Sequence, residues 1–133
     1  MPIYDIRCRD VARLVASGMI DAWRIREKIH SLYPGLRTGG SWTRNVLLKW
    51  NPFVNVEAGK VKLTSLGKAL TSLPGSIGTP LTEEEKAFIL GVMMLDPKQR
   101  LVVSELIATG SSREKNKWFV ARTKACLRAL GTI

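Results

Sequence analysis

The stretch SWTRNVLLKWNPFVNVEAGKVKLTSLGKAL, residues 41–70, decides how this chain is read. At about 100° per residue, Trp42, Val46, Leu47 and Trp50 gather on one side of a helix. Ser41 is placed to cap that helix, and Asn51-Pro52 closes it, because proline drives the preceding residue away from helical angles. Phe53, Val54 and Val56, then Val61 and Leu63, are strand formers on either side of Glu57-Ala58-Gly59-Lys60, which predicts a short antiparallel hairpin. The next residues, SLGKALTSL, predict a brief helix.

Upstream, DIRCRDVARLVAS sets Ile6, Val11, Leu14 and Val15 near helical spacing, with Asp5 as N-cap and Gly18 as stop. A second helix is predicted from Ile20 to Tyr33 on Trp23, Ile25, Ile29 and Leu32, with Asp21 near its start and Pro34-Gly35 at its end. Downstream, PGSIGTP at 74–80 is the most linker-like stretch, and it divides the chain into units 1–73 and 81–133, packed together or joined by that linker.

The second unit reads as all-helical. Thr82 and Glu85 have the spacing of a capping box, and Glu83, Glu84 and Glu85 suit the positive end of a helix dipole. The helix they open runs to about Leu95, where Asp96-Pro97 breaks it. Helical patterning resumes from Leu101 to Thr109, Gly110 stops it, and Ser111 with Glu114 predicts a second capping box before a long helix to about Leu130. On that last helix Arg113, Lys117, Lys124 and Arg128 form one stripe, while Phe119, Val120, Cys126, Leu127 and Leu130 form another. VARLVASG at 11–18 and VSELIATG at 103–110 align position by position, a faint echo that two glycine-stopped helices also explain.

Three helices followed by a hairpin whose second strand runs KVKLTSLGKAL into another helix resemble the winged-helix, or helix-turn-helix, family of DNA-binding proteins over roughly residues 5–72. The resemblance implies a mainly α fold with a short β-hairpin wing, the third helix in the major groove and the wing against the DNA backbone or minor groove. The connection from Pro34 to Gly40 is longer than the usual tight turn. A competing register therefore pairs residues 9–17 with 20–33 and makes Arg24, Arg26 and Lys28 the contacts. The run VVSELIATGSSREKNKWFVARTKACLRALGTI is similar to a second helix-turn-helix without a wing, so the three-helix second unit is a further reader or a dimerisation element.

Independently of that likeness, the third helix turns Ser41, Arg44, Asn45, Leu48 and Lys49 away from its apolar side. Arginine and asparagine can donate paired hydrogen bonds to guanine and adenine edges, whereas serine and lysine more often grip phosphates. Lys60 and Lys62 would meet phosphate at the wing, although exposed hairpins also carry lysine to discourage edge pairing. Trp42 and Trp50 are expected in the core by their register with Val46, with base stacking as the alternative.

The charge agrees with a polyanionic partner: 21 Lys plus Arg against 11 Asp plus Glu give +10 over 133 residues. No apolar run is long enough for a membrane span, and MPIYDIRCRD carries charges where a signal peptide needs an apolar segment, so a cytoplasmic, nucleic-acid-associated location is expected. Cys8 and Cys126 are expected as reduced thiols, with a disulfide between the chain ends as the alternative. His30 is the lone histidine, PGLRTGG lacks the lysine and hydroxyl of a phosphate loop, and the three glutamates are explained by capping. The expectation is a non-enzymatic protein without cofactor or metal. It would bind double-stranded DNA, with RNA open, as a homodimeric transcriptional regulator. An architectural, replication or packaging protein and a protein-binding adaptor are the rival readings.

Overall fold

A computed structural model describes residues 4–35 and 47–133. Within them the chain is mainly helical, with one two-stranded antiparallel hairpin. The elements in order are α1 (Ile6–Ala16), α2 (Ala22–Leu32), β1 (Val54–Glu57), β2 (Lys60–Leu63), α3 (Ser65–Thr71), α4 (Glu83–Met93), α5 (Pro97–Thr109) and α6 (Lys117–Ala129). Among the described residues no helix is long and apolar enough to cross a membrane.

The expected cap opens α1, and α2 begins at Ala22, two residues later than the expected Ile20, with Asp21 as its cap. Asp5 accepts from the N–H groups of Arg7 and Cys8, and Asp21 from those of Trp23 and Arg24, each satisfying donors that the first helical turn leaves without partners. Residues 47–49 form a π-helical turn that leads to Asn51-Pro52; the rest of the expected third helix, Ser41 to Val46, lies outside the described residues. The hairpin pairs Val54 with Leu63 and Glu57 with Lys60. Ala58 and Gly59 turn it with φ of 51° and 75°, both positive as the twist of a two-residue hairpin loop requires.

Thr64 and Gly67 explain why the strand runs directly into α3. Thr64 caps α3 by accepting from the Gly67 N–H (3.1 Å), and its hydroxyl donates to the Pro52 carbonyl (2.7 Å). Gly67 lies against the main chain of Phe53, where an added methyl would run into the Phe53 carbonyl oxygen. Only glycine lets α3 approach so closely.

Two apolar clusters share α1. Val11, Leu14 and Val15 face Ile25, Ile29, Leu47, Leu48, Val54 and Val61. Cys8 and Ala12, on another side of the same helix, face Phe53 and Leu70 together with Ile89, Val92 and Met93 of α4, Val102, Val103 and Leu106 of α5, and Cys126 and Leu127 of α6. The second cluster thus takes residues from both halves of the sequence.

The second half departs from the sequence reading at two helix starts. Asp96-Pro97 opens α5 instead of only ending α4: Asp96 accepts from the Gln99 N–H and Pro97 occupies the first turn, where its missing N–H costs nothing. The expected start at Leu101 is four residues late. The capping box at Ser111 and Glu114 does not form; α6 begins at Lys117, capped by Asn116, which accepts from the Phe119 N–H. Ser112 is engaged elsewhere, donating to Glu105 (2.9 Å) and accepting from the Glu114 N–H (3.2 Å), so residues 111–116 are held as a loop. Trp23, placed in the apolar pattern of α2, is 60% exposed. It precedes Ile25 by two residues, about 200° round the helix, and so faces away from the core.

Candidate nucleic-acid interface

The strongest electrostatic feature is interior. Arg9, Asp10 and Glu85 are fully buried. Arg9 binds Asp10 Oδ1 through Nε and Glu85 Oε1 through Nη1, both at 2.6 Å. Arg9 Nη2 also donates to the Thr79 carbonyl. Arg13 reaches Glu85 Oε2 at 2.9 Å and the Leu73 carbonyl at 2.8 Å. Glu85 accepts besides from the Thr82 N–H (2.9 Å), which completes the expected capping box. Asp10 takes the remaining donors, the Tyr33 hydroxyl and the Gly78 N–H. Burial and the hydrogen bond to Asp10 push the Tyr33 phenol well above its ordinary range. Two guanidinium groups and two carboxylates thus cancel, and the loop 73–82 is tied to α1. Capping by itself accounts for Glu85 only in part, because the sequence offers no sign of which arginines close over it.

The interior network takes up as many cations as acids, so the excess positive charge of the chain falls to the remaining surface. Asp5, Asp21 and Asp96 cap helices, Asp10 and Glu85 are buried, Glu83 pairs with Lys86, and Glu114 pairs with Lys98. The cations Arg24, Lys28, Lys49, Lys68, Lys117 and Arg128 are exposed, and no carboxylate lies within 4.0 Å of them among the described residues.

Of the expected contact residues, Ser41, Arg44 and Asn45 lie outside the described residues. Lys49 is exposed at the end of the π-helical turn, beside a groove that it lines with Leu48, Val54, Asn55, Val56 and the acidic Glu57. Lys60 and Lys62 are exposed on the hairpin, and each has an acid nearby: Asp21 at 3.8 Å from Lys60 and Glu57 at 3.6 Å from Lys62. Pairs as exposed as these are worth roughly 0–1 kcal/mol and leave the lysines able to exchange partners.

The hairpin is bound to the start of α2. The Val61 N–H donates to the Ile20 carbonyl (2.7 Å), and the Ala22 N–H donates to the Gly59 carbonyl (3.1 Å). Those bonds hold Lys60 over a groove shared with Gly18, Met19, Asp21 and Arg24. Arg24 and Lys28, the contacts of the competing register, are exposed one turn apart on α2, and Arg26 lies over the Trp23 ring at 4.7 Å.

In the second half, Lys117, Lys124 and Arg128 share one stripe of α6. Arg113 does not belong to it: the residue precedes the helix and binds Glu105 at 3.1 Å. The bonds from Ser112 and Arg113 hold the Glu105 carboxyl below its usual range. Phe119, Val120, Cys126, Leu127 and Leu130 all pack into the core, as their stripe predicts. Trp118, not singled out from the sequence, is 55% exposed with the Arg122 guanidinium 5.3 Å from its ring centre. Its position one residue from Lys117 was the available signal, since it takes the ring about 100° from the basic stripe and off the apolar one. Trp50 packs against the core, whereas Trp42 lies outside the described residues.

Comparisons of the chain with protein-family models, with curated proteins and with solved structures each find no significant match.

Proposed function

We propose that this protein binds double-stranded DNA as a sequence-specific regulator of transcription and acts as a dimer. The observation that carries the reading is the unequal use of charge. Most acids are engaged in caps, in the buried network or in local pairs, while Arg24, Lys28, Lys49, Lys117 and Arg128 stand on the surface without a carboxylate partner among the described residues. Such a surface attracts a polyanion and releases its counterions on binding.

Among the described residues two helices precede the hairpin; the reading takes the third helix into the major groove, with Arg44 and Asn45 at base edges and Ser41 and Lys49 gripping phosphates, and sets Lys60 and Lys62 against phosphate at the wing. Lys117, Lys124 and Arg128 extend the basic surface to α6. Dimerisation is part of the reading because one short helix covers too few base pairs for useful specificity. No catalytic role is assigned to any residue.

Selection from a pool of random duplexes, followed by titration at two salt concentrations, tests this reading. Enrichment of one motif, lost in Arg44→Ala and Asn45→Ala, is the expected result. Equal affinity for every duplex would instead make the protein a coating or packaging factor. Absence of duplex binding at low salt would overturn both of these readings.

A further inference from the structure

We propose that the face of α6 around Trp118 binds an unpaired base of single-stranded nucleic acid, with the indole as its stacking platform. The inference rests on the reading that the chain binds nucleic acid, and adds a ligand that a duplex reader does not need.

Trp118 has no evident role in the fold. Its neighbours Phe119 and Val120 pack against the core while the indole remains 55% exposed. The side chains beside it on the exposed surface, Ala121 and Ala125, are too short to cover the ring. Arg122 lies over the ring at 5.3 Å, and its Nε is buried without a hydrogen-bond partner. The guanidinium thus lies against an indole that stays more than half exposed, and aromatic and cationic groups set side by side in this way can together hold a base.

The charge around the ring identifies the ligand. From Lys115 to Ile133 there are five cations and no acid. Lys117, Lys124 and Arg128 run along about 16 Å of α6, on a stripe about 100° from Trp118. A strand whose phosphates follow that stripe can turn a base onto the indole. Duplex DNA cannot, because its base faces are stacked on one another and only their edges are open. An acidic peptide would satisfy the cations but not the flat open ring.

Fluorescence anisotropy of the whole chain tests the proposal. The probes are fluorescein-labelled oligothymidylate, longer than the site of about 16 nucleotides that a single binding fold covers at most, and a duplex of the same length. Trp118→Ala should weaken oligothymidylate binding about tenfold, the usual effect of removing one stacked base, while changing duplex affinity less than about twofold. Trp118→Phe, which keeps an aromatic face, should retain most of the single-strand affinity. Because the indole is exposed, both variants should melt like the parent.

Single-strand affinity unchanged in Trp118→Ala, or an equal loss for both probes, would overturn the proposal and leave duplex recognition standing. Binding of oligothymidylate without binding of duplex would support it and overturn the regulator reading. Binding of neither probe would overturn both.

Discussion

Glu85, itself fully buried, closes a helix cap and at the same time pairs with the buried Arg9 and the partly buried Arg13. Removing one member of such a buried set strands the others. Glu85→Ala should therefore cost roughly 3–5 kcal/mol of stability, whereas Glu84→Ala, at an exposed position of the same helix turn, should stay within about 0.5 kcal/mol. Urea denaturation of the two variants measures the contrast. Gly67→Ala is expected to destabilise as well, since its methyl must displace the Phe53 main chain. The cysteines behave differently. Burial raises the thiol pKa of both Cys8 and Cys126, so neither should react with a disulfide reagent at neutral pH, and both should react once the chain is unfolded in guanidinium. These residue-level facts were the least legible in the sequence. Glu85 stands in a run of three glutamates, and only the fold shows that Arg9 and Arg13 close over one of them.

Among the elements, the helix starts were readable where a single capping residue directly preceded an apolar-periodic run, as at Asp5 and Thr82, and to within two residues at Asp21. Reading failed where two starts competed. Ser111 and Glu114 have the capping spacing, but Ser112 and Glu114 are engaged in the loop and Asn116 caps α6 instead. Asn116→Ala should accordingly cost about 1 kcal/mol, and Ser111→Ala almost nothing, in thermal melts followed by circular dichroism. The same loop sets a pH dependence. Glu105 has its folded pKa lowered by Ser112 and Arg113, so the stability it contributes is full above the ordinary glutamate range and is lost as pH falls through its folded value. The difference in melting temperature between the parent and Glu105→Gln should therefore shrink as the pH is lowered from neutral into and below the ordinary glutamate range. Trp23 shows the other limit of pattern reading. Its hydrophobicity suggested the core, while its angular position, about 200° from Ile25, already pointed outward.

For the molecule as a whole, the sequence carried the mainly helical architecture and the hairpin, because caps, proline stops and strand alternation are local signals. The sharing of one apolar cluster between the halves was not legible, since it depends on Cys8 and Ala12 of α1 meeting α4, α5 and α6. Net charge was legible, but its distribution was not, because that depends on which acids the fold buries, uses as caps or pairs. The central claim is that the surface cations without a carboxylate partner among the described residues meet duplex DNA. Its most direct test is the salt dependence of duplex affinity for the parent and for a variant with Lys49, Lys117 and Arg128 changed to alanine. The account predicts that affinity falls steeply with salt, by about 10³–10⁵ between 50 and 200 mM if six to ten phosphates are engaged, and that the log–log slope drops by close to 0.9 for each contact removed. An unchanged slope in the variant, or no duplex binding at low salt, would contradict it.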